Sequence, residues 1–230
     1  MTFELPLFPL NVVLFPGMPM PLHIFEPRYR LMIARCLESD RTFGIALLTE
    51  GVEGQLGTEA AEVGCTAEIT EVAPFADGRL NLQSVGGRRF RVLYTREEDD
   101  YLIGTCEWVQ DDPETELTCD LSERVQYRLR RYLDAFSHNT ALSSDFSDLD
   151  IPDDGEALSL FVAAIMTLPN SQKQQLLEMT CTDLRLELEE FLLERAEIVQ
   201  RAYARRVRDG YSEPPGDSPF GHASGFVSLN

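Results

Sequence analysis

The side chains that could carry covalent or acid–base chemistry are few and scattered. The chain has 230 residues, with three histidines, His23, His138 and His222, and one lysine, Lys173. Lys173 lies in Asn170-Ser171-Gln172-Lys173-Gln174, with no glycine loop before it to cradle a phosphate. ATP hydrolysis and Ser–Lys proteolysis are therefore not expected of this chain. Gly221-His222-Ala223-Ser224-Gly225 carries its serine fourth, whereas a nucleophile elbow needs it third, at a strand-to-helix turn. Asp145, Asp148, Asp150, Asp153 and Asp154 superficially suit calcium, but Pro152 and Asp153 fall where the loop pattern needs a ligand and a glycine. A solvated linker is the better reading. Cys36, Cys65, Cys106, Cys119 and Cys181 form no Cys-x-x-Cys pair, which argues against zinc. Scattered single thiols suit a reducing compartment, so the expected location is cytoplasmic. No catalytic residue, no metal and no cofactor are expected.

Charge excludes more. The 20 basic and 39 acidic residues leave a formal charge of −19. Phosphate backbones and anionic lipid need clustered cations, so no nucleic acid and no membrane are expected as partners. No apolar run is long enough to span a bilayer, and the N-terminus lacks a secretory pattern. The one local basic cluster is Arg88-Arg89-Phe90-Arg91. In a strand it reads as one wet face and one buried face, which outweighs an RNA contact.

The remaining candidate chemistry is apolar. Phe15, Met18, Met20, Phe25 and Tyr29 lie among prolines that limit strand pairing. Methionine adapts to varied partners, and an unpaired apolar edge can receive an extended peptide. Ordinary core packing is the competing reading of the same five residues.

The elements that would position these residues fall into two sections. Prolines at 6, 9, 16, 19 and 21 predict short strands near 10–15 and 21–25, with Pro16-Gly17 as the turn between them. Pro27 opens a helix whose face is Tyr29, Met32, Ile33, Cys36 and Leu37. Strands follow through Val109, with a type I′ hairpin expected at Asp77-Gly78 and a bulge at Gly86-Gly87. Beyond an acidic zone at 97–116 the spacing becomes helical: Leu121, Val125, Leu129, Tyr132, Leu133 and Phe136 form one stripe, with Asp120 and Glu123 as a capping box. A helix over Glu156–Leu168 is apolar nearly all round. Ser171 and Gln174 suggest another capping box. The last helix opens at Thr182, with Leu188, Phe191, Leu192, Val199 and Tyr203 as its expected buried stripe. The resulting division is a β subdomain at 1–115, a helical subdomain at 116–210 and a tail at 211–230, in an α+β fold.

Several motifs together resemble the substrate-binding N-terminal domain of Lon proteases, in its stand-alone bacterial form. The opening LPLFPLNVVLFPGMPMPLHIFEPRYRLMI carries Pro9, Pro16, Gly17, Pro21, Glu26, Pro27 and Arg28. Gly64 lies in a strand similar to the family's, and Gly86, Arg89 and Phe90 lie in a following strand that resembles it too. Pro169 and Glu178 flank a similar helical segment. The resemblance spans roughly residues 3–205 and implies a PUA-like β pseudo-barrel followed by a helical bundle. It implies recognition of unfolded or tagged protein segments, as an adaptor or regulator of a protease or chaperone in protein quality control. Full Lon proteases carry an ATPase and a Ser–Lys peptidase beyond this region, and no residue of either transfers here. RNA binding is the alternative that a PUA-like barrel leaves open.

Overall fold

The computed structural model describes residues 1–50, 59–113, 115–137 and 149–208. The described chain divides into two compact units: Met1–Gln110 with Leu168–Glu178, and Asp111–Thr167 with Met179–Arg208.

The first unit is a six-stranded sheet, with β1 (Thr2–Leu10), β2 (Pro19–Ile24), β3 (Thr42–Glu50), β4 (Glu59–Pro74), β5 (Leu80–Glu98) and β6 (Tyr101–Trp108). The order is β2-β5-β4-β3-β1-β6, and β5 also pairs with β6. Five strands therefore close into a ring, and β2 is attached to β5 outside it. β1 begins earlier than the prolines suggested, because the strand changes partner along its length. Residues 2–7 pair with β6 and residues 7–10 with β3, so each half has an open flank for Pro6 or Pro9. The chain from 11 to 18 forms no strand. Instead Phe15-Pro16-Gly17-Met18 is a tight turn, closed by Met18 N–H donating to Phe15 O at 3.1 Å, with Gly17 at φ 74°. Proline second and a left-handed residue third define a type II turn.

β5 bends at the glycine pair. Between Cys65 and Ala67 of β4, β5 advances one residue too many, which is the expected bulge. Thr66 Oγ1 fills it, accepting from Arg88 N–H at 2.8 Å. A Cβ on Gly86 would lie 2.0 Å from Phe15 O, so only glycine lets these backbones touch. The Asp77-Gly78 hairpin differs from expectation. Only Gly78 has positive φ, at 85°, and Gly78 N–H donates to Phe75 O at 3.0 Å. This is a type I turn closed by a left-handed glycine, where the type I′ form needs both central residues left-handed.

Helix α1 (Pro27–Glu38) starts at Pro27 as predicted and buries Tyr29, Met32, Ile33 and Cys36. They join Phe8, Leu14, Ile24, Phe43, Ile45 and Leu82 in the main core. A second cluster of Leu5, Leu7, Phe90 and Cys106 fills the other side.

The described helices of the second unit are α2 (Glu116–Ser137), α3 (Gly155–Ile165) and α5 (Thr182–Arg208); α4 (Asn170–Glu178) belongs to the first. The α2 stripe is buried from Leu121 to Leu133, while the side chain of Phe136 lies outside the described residues. Thr115, not Asp120, sits at the start of α2, its Oγ1 accepting from Leu117 N–H at 3.1 Å. Asp154 caps α3 by accepting from Ala157 N–H at 2.8 Å. Gln174 serves no cap: it reaches from α4 to Val63 O at 2.9 Å. Most of the linker at 137–155 and all of the tail at 211–230 lie outside the described residues.

The largest departure is α5. Its expected buried stripe of Leu188, Phe191, Val199 and Tyr203 is exposed, and Leu192 is only half-buried. The buried face carries Arg185, Leu186, Glu189, Leu193, Glu197 and Gln200. Arg185 can be buried because every direction it faces holds an acceptor. It pairs with Asp111 at 2.5 Å and donates to Ser159 Oγ at 2.5 Å and Met179 O at 2.8 Å. Ser159 Oγ in turn donates a hydrogen bond to Glu189 Oε1 at 2.9 Å.

Candidate functional site

The five residues expected to touch a peptide separate on burial. Phe15 is 0% exposed, and Met20 and Tyr29 are buried with it. Tyr29 stacks on Phe8 with ring centroids 4.0 Å apart. These three are core, and a peptide cannot reach them in this structure. Met18 is half-buried against the core, and Phe25 is 42% exposed.

Phe25 belongs to a surface that the alternation of β2 builds. Even positions point inward: Met20 and Ile24 are buried, and Leu22 packs on the core. Odd positions point outward, so Pro19, Pro21, His23 and then Phe25 form one row. Exposed Val85 lies opposite Pro19, and Asn81 opposite His23. His23 Nδ1 and Asn81 Oδ1 are 2.7 Å apart. The His23 ring is 6.2 Å from Phe25 and meets Phe75 edge-on at 5.8 Å. Phe75 is 43% exposed at the hairpin tip, with the Arg79 guanidinium 5.6 Å from its ring centroid. The Arg79 side chain pairs with Asp77 at 2.7 Å, and the Arg79 backbone N–H, donating to Asp77 Oδ1 at 3.1 Å, keeps the Asp77 carboxyl below the usual range. The result is an outward row of two prolines, an imidazole and two phenyl rings, with the guanidiniums of Arg79 and Arg30 at the hairpin end.

Among the described residues no strand pairs with the outer edge of β2, and that edge is a poor strand acceptor. Met18 O accepts from Gly86 N–H across the β5 side, so even-numbered backbone groups face β5. Odd-numbered groups face the open edge, where Pro19 and Pro21 offer no N–H. Only His23 keeps an outward donor in that stretch. The prolines guard the edge against full strand addition while stiffening the face beside it.

The basic cluster is dispersed by the fold. Arg89 is buried and donates to Leu177 O at 3.0 Å, and Phe90 is fully buried. Arg88 lies 4.1 Å from the Trp108 ring centroid, while Phe3 stacks on Trp108 at 4.0 Å. Two groups that close must occupy opposite faces, so Trp108 has none left for a base. Arg91 reaches Glu62 at 3.6 Å.

The motif residues are architectural. Pro27 is the first residue of α1, and Glu26 before it accepts from Arg28 at 3.0 Å. Pro169 O accepts from Gln172 and Lys173 N–H groups at 3.0 Å each. Glu178 accepts from Gln174 at 2.7 Å. A Cβ on Gly64 would lie 2.4 Å from Ile45 O.

In the second unit, Glu123, Arg124, Tyr127, Arg128, Arg131 and Glu190 line an open depression. Its guanidiniums are consumed by α5: Arg124 meets Glu190 at 2.5 Å, Arg128 meets Glu194 at 3.2 Å, and Arg131 meets Glu197 at 2.7 Å. Burial pushes the Cys36 and Cys106 thiols up to about 11 and Cys65 to about 12, so these three are inert at neutral pH. Among the described residues no group of His, Cys, Asp and Glu is placed to hold a metal, and no helix is long and apolar enough to cross a membrane.

A family model described as the substrate-binding domain of ATP-dependent protease La (LON) matches residues 4–195. The chain belongs to the Lon substrate-binding domain family. The match covers this Lon-type domain and no catalytic one. The solved structure of a Lon N-terminal domain protein from Xanthomonas campestris shares 28% identity at a TM-score of 0.61, covering 81% of this chain and 96% of that one. The N-terminal domain of a Mycobacterium avium complex Lon protease, 20% identical at a TM-score of 0.65, shares the fold. Lon protease 1 of Syntrophobacter fumaroxidans is 25% identical over 190 residues, 81% of this chain and 23% of that protein. Protein cereblon of Xenopus tropicalis is 31% identical over 123 residues, 52% of this chain and 26% of that protein. The chain thus spans about a quarter of the length of these curated relatives.

His23 and Phe75 are members of this outward row that sequence reasoning did not single out. The apolar neighbours of His23 give it the local pattern of a core residue. Phe75 had a usable signal: it stands two residues before Asp77-Gly78, at a hairpin tip that must be exposed.

Proposed function

We propose that this chain captures exposed apolar segments of protein substrates on the outward face of β2, and serves as an adaptor or regulator in cytoplasmic protein quality control. The observation that carries this reading is the aromatic row of His23, Phe25 and Phe75, half-open to water beside Pro19 and Pro21. Such a face is preorganised. Two prolines and rings held by mutual contact lose little entropy when a chain lies across them. Sequence tolerance follows, because apolar burial is non-directional. Beside the row, the Arg79 and Arg30 guanidiniums and the His23–Asn81 pair supply polar groups that can orient a bound chain. We take the closed ring of strands as PUA-like and the helices of the second unit as a small bundle. The overall −19 charge favours basic, unfolded partners over nucleic acid. The engagement of Arg88, Arg89 and Arg91 within the first unit weighs against the RNA alternative.

The test is pull-down and anisotropy with a permanently unfolded protein against its folded form. Phe25→Ala with Phe75→Ala should weaken capture of the unfolded form without lowering the melting temperature. Equal capture by wild type and variant would refute this site. RNA retention at physiological salt would favour the alternative.

A further inference from the structure

The hairpin end of the β2 row holds a cation that no described carboxylate neutralises. Arg30 of α1 lays its guanidinium over the Gly78 backbone, where a Cβ would lie 2.8 Å from Arg30 Cζ. The side chain is half-buried, and among the described residues no carboxylate is within ion-pair distance of it. Other arginines nearby are answered. On the same helix Arg28 meets Glu26 at 3.0 Å and Arg35 meets Asp99 at 2.6 Å. At the hairpin Arg79 meets Asp77 at 2.7 Å. Arg30, Arg79 and Asp77 therefore leave a net positive charge here, in a chain whose formal charge is −19.

The surroundings decide which anion fits. A guanidinium forks onto a carboxylate with two parallel N–H donors. Phe25 and Phe75 take apolar side chains, so the carboxylate must belong to an apolar segment. An acidic side chain or a free C-terminus could supply it. The −19 charge disfavours segments rich in Asp and Glu, whereas every chain, a basic one included, carries a terminal carboxylate. The edge of β2 points the same way. Pro19 and Pro21 lack N–H groups, so the outward donor is His23 N–H, next to the Ile24–Leu80 pair at the hairpin end. A segment held at one end suits a chain terminus better than an internal stretch.

We infer that the β2 face reads the free C-terminus of an apolar protein segment. The terminal carboxylate pairs with the Arg30 guanidinium, the last side chains lie over Phe75 and Phe25, and His23 N–H donates to a carbonyl of the segment. This specificity rests on the capture face proposed above and adds which end of a substrate that face takes.

Anisotropy tests it, with an N-terminally labelled apolar peptide ending in Phe-Leu, made as the free acid and as the C-terminal amide. The wild-type chain should bind the acid about tenfold more tightly, the size of a charge-assisted hydrogen bond. The −19 charge alone would favour the amide, so this preference would not come from long-range charge. Arg30→Gln should bring the acid down to the level of the amide at an unchanged melting temperature. Arg30→Lys, which keeps the charge and loses the fork, should fall between. If Arg30→Gln melts early, Arg30→Lys and the wild-type ratio carry the test. Equal binding of acid and amide, both weakened by Phe25→Ala/Phe75→Ala, would overturn the terminus and leave the capture face standing. Binding of neither form would overturn both. A preference for the acid that survives Arg30→Gln, or an amide ending in glutamate that binds as well as the acid, would also overturn the proposal.

Discussion

Phe15 and Phe25 are ten residues apart, equally apolar and equally plausible as contacts from sequence, and the structure buries one and exposes the other. Phe15 is 0% exposed and Phe25 is 42% exposed. Phe15→Ala removes a ring from a closed core and leaves a cavity, at about 3–5 kcal/mol. For a chain this long that lowers the melting temperature by about 6–20 °C. Phe25→Ala removes a ring whose exposed part is still available to a ligand. Full burial of such a side chain is worth about 1.5–3 kcal/mol, so the exposed 42% gives roughly 0.6–1.3 kcal/mol of binding, or about threefold to tenfold in affinity. The assay is a thermal melt and a titration with unfolded protein for each variant. Phe15→Ala should melt early and, while folded, bind normally. Phe25→Ala should melt normally and bind weakly. The reverse pattern, or a Phe25→Ala variant that unfolds, would refute the separation of core from contact.

Three further perturbations test what holds the two units folded. Arg185→Met strands the carboxylate of Asp111, which is 2% exposed, and should cost about 3–5 kcal/mol in urea unfolding; Asp111→Asn in the same chain should recover part of it. Burial raises the Glu189 carboxyl well above its usual range, so the folded state holds a proton that the unfolded state releases. Stability should therefore fall as pH rises from the unfolded value near 4.5 towards the folded one, and Glu189→Gln should flatten that slope in melts taken across the range. Gly86→Ala drives a methyl to 2.0 Å from Phe15 O and should destabilise by about 2 kcal/mol or more, measured by the same melts.

The local punctuation was legible because it depends on single residues. Pro27 at the first turn of α1, the Pro16-Gly17 turn and the bulge at Gly86-Gly87 all follow from backbone preferences that tertiary contacts leave in place. The start of β1 was not legible, since Pro6 and Pro9 become tolerable only when the strand's two halves pair on different sides. The α5 stripe failed for a related reason. Periodicity finds an apolar face but does not say whether that face is turned inward. Here the inward face accepts Arg185 and Glu189 because Asp111 and Ser159 answer them, and no local pattern announces those partners. Of the five proposed contacts, the sequence could not separate Phe25 from Phe15, because exposure is decided by β2 lying outside the closed ring. The Lon family motifs marked the architecture well, and they coincide with caps, turns and close backbone approaches rather than with the aromatic row.

The most direct measurement is fluorescence anisotropy of a labelled, permanently unfolded protein titrated with the wild-type chain and with Phe25→Ala/Phe75→Ala, the folded form serving as control. The account predicts saturable binding of the unfolded form by wild type, no binding of the folded form, and at least about tenfold weaker binding by the double variant. Absence of binding up to about 50 µM, a free-energy change no larger than about −6 kcal/mol, would contradict it.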